Sequence, residues 1–277
     1  MSTGTATADI LAAYDLEPVG AGRFRAGNAR STHGVVFGGQ LLGQALLAAG
    51  AAHPGMPVKT LHAVFARGAS PDAGLDIEVE PVHGGRTFAS STVTLRQGDR
   101  TCVRAQVLQS ADEPDCIRHA APAPTVAAPG DDADAPAEWA VHIVGDVDID
   151  DPDAVGPAEL DVWTRFAGAP DDPALNQALL AFATDGFLIG TAMRPHEGVG
   201  QAQAHRSLST GVISHTITFH EPVDAGAWNL LSHRSPYAGR GRSYGTADVF
   251  DAAGRLVASF VQDAMIRPRD PKAGGGL

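Results

Sequence analysis

The stretch Gly85-Arg-Thr-Phe-Ala-Ser-Ser-Thr-Val-Thr-Leu-Arg-Gln-Gly-Asp-Arg-Thr-Cys-Val-Arg-Ala-Gln106 lies without a gap on Gly241-Arg-Ser-Tyr-Gly-Thr-Ala-Asp-Val-Phe-Asp-Ala-Ala-Gly-Arg-Leu-Val-Ala-Ser-Phe-Val-Gln262. Val93 falls on Val249, the turn glycine Gly98 on Gly254, and Gln106 on Gln262. Each copy alternates polar and apolar residues on both sides of a glycine turn, which is the pattern of a β-hairpin. Upstream, Gln44-Ala-Leu-Leu-Ala48 recurs as Gln177-Ala-Leu-Leu-Ala181, and in that register Ala52 of the first copy becomes Asp185 of the second. The chain therefore reads as one module used twice, with a carboxylate planted in one copy only.

Working outward, Gly38–Ala49 is apolar on nearly every side and suits a helix buried all round. Its glycines cost helix propensity, about 1 kcal/mol each relative to alanine. Close approach of other backbone, or of a ligand, to the helix start would offset that cost. Strand-like runs follow at Thr60–Ala66, Leu75–Val82, Thr87–Arg96 and Thr101–Gln109. In the second copy Asp171-Asp172-Pro173 opens a helix, with proline in the first turn and acid at the positive end of the dipole. A short strand, Leu160–Phe166, precedes that helix, and Gly211–Phe219, Ala227–Ser235, Ser243–Asp251 and Arg255–Ile266 follow it. One apolar helix and four antiparallel strands, twice over, make an α+β protein of two helix-wrapped sheets, a double hotdog. Residues 1–112 form the first module and 157–277 the second. The Ala-, Pro- and Asp-rich segment 113–156 reads as a linker, partly ordered around Trp139–Val144. The tail Pro268–Leu277 reads as disordered. Side by side, two modules bury sheet edges that one would expose.

At 277 residues and 44% hydrophobic content the chain supports two domains with proper cores. Its formal charge of −12 is local: fourteen acidic residues and one basic residue, Arg118, lie between Asp112 and Asp161. The rest is nearly neutral, so an anionic ligand on the modules is allowed. No basic stripe of the kind nucleic acids require is present. Two cysteines, Cys102 and Cys116, make no disulfide framework. No apolar run reaches the length of a membrane span, and the N-terminus lacks the regions of a signal peptide, which reads as a soluble, cytoplasmic protein.

Several motifs fail on context. Gly241-Arg-Ser243-Tyr-Gly245 matches G-x-S-x-G, but that nucleophile needs a following helix and a strand follows here. Asp146-x-Asp148-x-Asp150 opens like a calcium loop, yet Asp151 and Pro157 stand where glycine and glutamate are required. The eleven histidines form no HExxH pair, and no metal or other cofactor is expected. Asp185 differs. It ends an apolar helix, where a carboxylate is costly unless hydrogen-bonded or neutralised, and where the helix dipole disfavours it. A helix-end cap with Gly186 as the stop and a functional carboxylate both remain open. Gln262, amid apolar strand residues, orients water or a carbonyl without a charge penalty, or is a core glutamine satisfied by backbone.

Val36-Phe-Gly-Gly-Gln-Leu-Leu-Gly-Gln-Ala-Leu46, Leu61-His-Ala-Val-Phe-Ala-Arg-Gly68 and Gly84-Gly-Arg-Thr-Phe-Ala-Ser90 resemble the N-terminal half of acyl-CoA thioesterase II. Ala183-Thr-Asp185, Ile213–Pro222, Gly239–Ser243 and Gly254–Asp263 resemble its C-terminal half. The resemblance implies hydrolysis of fatty acyl-CoA by a water held by an aspartate, a hydroxyl residue and a glutamine. It places the aspartate on Asp185 and the glutamine on Gln262. The hydroxyl falls on Val212, and Thr210 or Ser214, which share its face in a regular strand, are the replacements to test. Backbone N–H groups of Gly38, Gly39 and Gln40 are candidates to polarise the thioester carbonyl, and Arg86, Arg240 and Arg242 to hold the CoA phosphates or to be solvated turn residues. Two readings follow: a thioesterase, weakened where Val212 replaces the hydroxyl, or an acyl-CoA-binding protein that has lost turnover. A hotdog hydratase would want an Asp–His pair on the helix, which neither copy has. Pairing of double modules into homo-oligomers is what the resemblance adds.

Overall fold

In the computed structural model, residues 5–31, 34–130, 138–204 and 206–269 are described. Among the described residues, twelve strands form a single antiparallel sheet in the order β1-β2-β4-β5-β6-β3-β9-β12-β11-β10-β8-β7. The first six are β1 (Glu17–Gly20), β2 (Arg23–Ala26), β3 (Val58–Phe65), β4 (Leu75–Gly84), β5 (Phe88–Gln97) and β6 (Arg100–Ser110). The others are β7 (Trp139–Ile143), β8 (Glu159–Phe166), β9 (Leu208–Phe219), β10 (Asn229–Gly239), β11 (Arg242–Asp251) and β12 (Leu256–Pro268). The order reads the same from either end, strand for strand, about the β3–β9 seam, where Leu61 faces Ile217 and Ala63 faces His215. This is the double hotdog expected from the repeat, with each half extended at its outer edge by a further hairpin.

The segment 113–156 is connection only in part. Trp139–Ile143 pairs with β8 as the edge strand β7, so the second sheet begins before residue 157. Ala123 and Val126 pack on a small cluster of Trp163, Leu230 and Phe250. Residues 131–137 and 270–277 lie outside the described residues. The tail expected to be disordered from Pro268 is ordered at its start, because Pro268 ends β12 opposite Leu208 and the Arg269 N–H donates to Ser207 O at 2.8 Å. No helix among the described residues is long and apolar enough to cross a membrane.

The repeat is gapless for one strand of the hairpin but not for the other. Ala89 pairs with Gln109, whereas its counterpart Gly245 pairs with Gln262. Nineteen residues (90–108) lie between Ala89 and Gln109 and sixteen (246–261) between Gly245 and Gln262, so the first hairpin reaches three residues further although its turn is the shorter, and a glycine in each turn masks the difference. So Gln109, not Gln106, is the structural counterpart of Gln262. Gln106 lies exposed on the outer face, donating to Thr92 Oγ1 at 2.9 Å.

Inside the sheet, α2 (Gly38–Ala52) and α3 (Pro173–Thr184) run antiparallel and in close contact. Asp172 caps α3 as its sequence demands, its Oδ1 accepting from the N–H groups of Ala174 (2.9 Å) and Leu175 (3.0 Å), with Pro173 in the first turn. The α2 glycines allow the approach. A Cβ on Gly39 would lie 2.3 Å from the carbonyl oxygen of Phe182, and one on Gly43 would lie 2.2 Å from the hydroxyl of Tyr14. That hydroxyl donates to Ala178 O of α3 at 3.1 Å, tying the short helix α1 (Thr7–Ala13), which Tyr14 caps, to the second module. A short α4 (Leu188–Met193), which the pattern did not separate from α3, packs on β10 and β11.

Gly39→Ala is expected to destabilise the protein by about 1–3 kcal/mol or more, because the obstacle is backbone and cannot rotate away. Urea unfolding checks it, with Gly50→Ala as the control, since a Cβ there meets nothing within 4 Å.

Candidate active site

Asp185 is the C-cap of α3, and the antiparallel packing carries it to the first turn of α2. Its Oδ2 accepts from the N–H of Gly39 at 3.1 Å and its Oδ1 from Nε2 of Gln262 at 3.2 Å. A Cβ on Gly38 would lie 2.7 Å from Oδ2, so only glycine admits the carboxylate there. The objection that an acid at its own helix C-terminus is disfavoured is answered across the interface, because the positive end of α2 faces it. Gln262 is buried and paired in register with His215. With its amide N–H donated to Asp185, its Oε1 has no partner within the protein.

The surroundings are apolar. Phe37 sits 4.8 Å from Phe182, centroid to centroid, and Trp139 of β7 stands edge-on to Phe182 at 5.2 Å and contacts Phe187 at 6.2 Å. Burial raises the Asp185 carboxyl from 3.8 to about 7, against the lowering effect of the hydrogen bonds from Gly39, Gln262 and Gly38. The histidines nearby are neutral: burial pushes His215 down to about 3 and His233 to about 4. His215 meets Thr184 Oγ1 at 3.1 Å through Nε2 and stacks on Phe260. Since the Thr184 hydroxyl proton goes to Ala181 O at 2.8 Å, the histidine is the donor, an Nε2–H tautomer that braces the residue next to Asp185.

The hydroxyl candidates separate on a β-bulge. Along β12, Gln262, Asp263 and Ala264 face His215, Ser214 and Val212, leaving Ile213 as the extra residue of β9. Val212 therefore shares the inner face with Gln262, while Ser214 turns outward and donates to Asp263 Oδ2 at 2.8 Å. The regular-strand expectation for Ser214 is overturned. Thr210 does lie on the inner face and is buried, opposite Ile266. That is four residues along β12 from Gln262, roughly 13 Å, so it is not beside Asp185.

Of the backbone donors, Gly39 N–H is taken by Asp185 and Gln40 N–H by Phe37 O at 3.1 Å, so neither is free for a thioester carbonyl. The Gln40 side chain accepts from Ala29 N–H at 2.9 Å and donates to Asn28 Oδ1 at 2.9 Å. The arginines part company. Arg240 and Gly241, with φ of 55° and 72°, form the two-residue tip of the β10–β11 hairpin, and Arg242 faces Met265, three residues beyond Gln262. Arg86 is on the β4–β5 tip, where a Cβ on Gly84 would lie 3.5 Å from His53, the C-cap of α2. The 15 residues of α2 span about 22 Å, so Arg86 is at the far end from Asp185. Ser243 is buried in β11 with strand after it, which denies it an exposed nucleophile's turn. No group of metal-ligating side chains occurs among the described residues. His215 and Trp139 were missed. The first was legible from the alternation of His215, Ile217 and Phe219, all buried; the second was a lone tryptophan in an acidic segment, with no local signal.

The raised carboxyl has a stability consequence. Between 3.8 and about 7 the folded protein holds a proton that the unfolded chain has released, so stability falls as pH rises through that window. Asp185→Asn removes the ionisation and keeps hydrogen-bonding atoms in place. The variant is expected to be more stable than wild type at pH about 8, by up to a few kcal/mol, and to lose that advantage near pH about 4; thermal unfolding at both values checks it.

Comparison with known proteins gives the arrangement its family. A profile described as "Acyl-CoA thioesterase N-terminal domain" matches residues 27–110, and one described as "Acyl-CoA thioesterase C-terminal domain" matches residues 119–266. The chain is 28% identical to acyl-CoA thioesterase 2 of Haemophilus influenzae over 254 residues, covering 84% of this chain and 87% of that protein. The structure of acyl-CoA thioesterase II TesB2 from Mycobacterium marinum superposes with a TM-score of 0.78 at 26% identity, covering 96% of this chain and 99% of that one. A hot dog fold protein from Alicyclobacillus acidocaldarius, 20% identical over 94% of this chain and 98% of its own, matches with a TM-score of 0.75 and shows the fold alone. With both domain profiles matched in order over most of the sequence, the chain belongs to the acyl-CoA thioesterase II family.

Proposed function

We propose that the chain hydrolyses fatty acyl-CoA to a fatty acid and CoA, with water activated by Asp185. The observation that carries this is a buried carboxylate held by a helix N-terminus and by Gln262, whose own Oε1 is left unpartnered beside it. A water bridging the carboxylate and that amide oxygen gives its proton to Asp185 as it attacks the thioester carbon. The C–S bond then breaks and the proton passes to the departing CoA sulfur. A carboxyl poised near neutrality is suited to both transfers. Arg240 and Arg242, exposed on the adjacent hairpin tip, are placed to meet CoA phosphates. Family membership supports the activity. Homo-oligomeric pairing of double hotdogs and a cytoplasmic location complete the reading.

Val212 supports a second reading, an acyl-CoA-binding protein with weakened turnover, because it puts an apolar side chain on the inner face where the family resemblance puts a hydroxyl.

CoA release from short-, medium- and long-chain acyl-CoA decides between them. For the enzyme, kcat/KM rises with pH through an ionisation near 7, and Asp185→Asn loses about 10²-fold or more. Val212→Thr restores an oriented hydroxyl and raises kcat by roughly tenfold or more. Binding without CoA release in the wild type would establish the second reading.

A further inference from the structure

Gln262 has two neighbours across the strands on the inner face of the sheet, and they are unlike. On the β9 side stands His215, held by Thr184 and stacked on Phe260. On the β11 side stands Gly245, which offers no side chain. Its place is nevertheless filled. A Cβ built on Gly245 would lie 2.5 Å from Cδ2 of Leu188 and 3.2 Å from its Cγ. Leu188 is the first residue of α4, three residues after Asp185, and is 3% exposed. Its isobutyl group therefore occupies the side-chain position directly opposite Gln262, at the ~5 Å spacing of such pairs. The first module has neither part of this arrangement. Ala89 stands where Gly245 does, paired with Gln109 and carrying its own methyl, and residues 53–57 pass from α2 to β3 without a helix. A leucine brought in by a separate element, onto a seat left open by glycine, accompanies the carboxylate and occurs in its module alone.

The chemistry says what that side chain borders. A water between Asp185 and the unpartnered Oε1 of Gln262 must lie within about 3–3.5 Å of the thioester carbon that it attacks. The first carbons of the acyl chain then come within contact distance of the groups around Gln262. Phe260 packs against the rings of His215 and His233, and His215 is fixed on Thr184. Ala264, the next inward residue of β12, is small, and Val212 lies opposite it, diagonal to Gln262 and across the bulge. Leu188 is the branched aliphatic group directly beside the amide, and a substituent on the first acyl carbon would need the volume that it fills. We propose that Leu188 is a specificity-determining residue of this hydrolysis: seated on Gly245 beside Gln262, it excludes acyl-CoA branched at the carbon next to the thioester carbonyl. The reaction itself rests on the function proposed above.

The test compares kcat/KM for the straight-chain acyl-CoA that the wild type turns over fastest with kcat/KM for its 2-methyl isomer of equal carbon number. The wild type is expected to favour the straight chain by about tenfold or more, the discrimination that one misplaced carbon gives in an apolar pocket. Leu188→Ala is expected to remove most of that preference. Leu188→Val, which keeps a branched side chain and puts the fold at less risk, is expected to remove part of it. A leucine that only fills the core would lower both rates alike, so an unchanged ratio in both variants overturns the proposal, as does a wild type that does not discriminate. If the wild type releases CoA from no acyl-CoA, the thioesterase reading fails, and the same comparison is made on binding to the full chain. Titration calorimetry then reads hexadecyl-CoA thioether, which cannot be hydrolysed, against its 2-methyl isomer. A straight-chain preference that Leu188→Ala abolishes keeps Leu188 as the determinant of the pocket. Equal affinities, or no binding of either thioether, overturn it too.

Discussion

The approach of α2 to α3 is the constraint on which the rest of the structure depends. Two helices from different modules meet with a backbone carbonyl of one where the other has room for no Cβ, at Gly39. That contact sets the seam between the modules and brings the negative end of one helix against the positive end of the other. Asp185 is placed by it. On α3 alone the residue is a poorly chosen cap; in the pair it is an anion at a helix N-terminus, held from both sides.

Holding the carboxylate is not the same as stabilising its charge. Gly39 and Gln262 donate to it, yet desolvation by the surrounding protein dominates, and the net effect is a carboxyl that titrates near neutrality. The protein is less stable for it above that pH, a cost that a purely structural cap would have no reason to retain. The aromatic wall of Phe37, Phe182, Phe187 and Trp139 draws on both modules and on the segment between them. The connecting segment is thus part of the environment of the site, although its composition marks it as linker.

Duplication left two related patches that diverged in opposite senses. In the second module a carboxylate and an amide face each other; in the first, the equivalent amide is absorbed by the helix-end carbonyls and a histidine takes the capping place.

Period-two alternation, the glycine turns and the repeated apolar helix were enough to read the α+β class, the two modules and most strands, because these are local patterns with a fixed geometric meaning; that Asp185 and Gln262 belong together came from the family resemblance, not from those patterns. What depends on register was not legible. A one-residue bulge at Ile213 sends Ser214 outward, and a first hairpin three residues longer than the second, 19 against 16 between the paired positions, moves the counterpart of Gln262 from Gln106 to Gln109. In a strand every such slip exchanges the two faces, and no local pattern records it. The donors around Asp185, the Thr184 brace from His215, the contribution of Trp139 and the distance of Arg86 were likewise decided by tertiary structure. Each is a contact between segments far apart in the chain, set by how closely two helices pack.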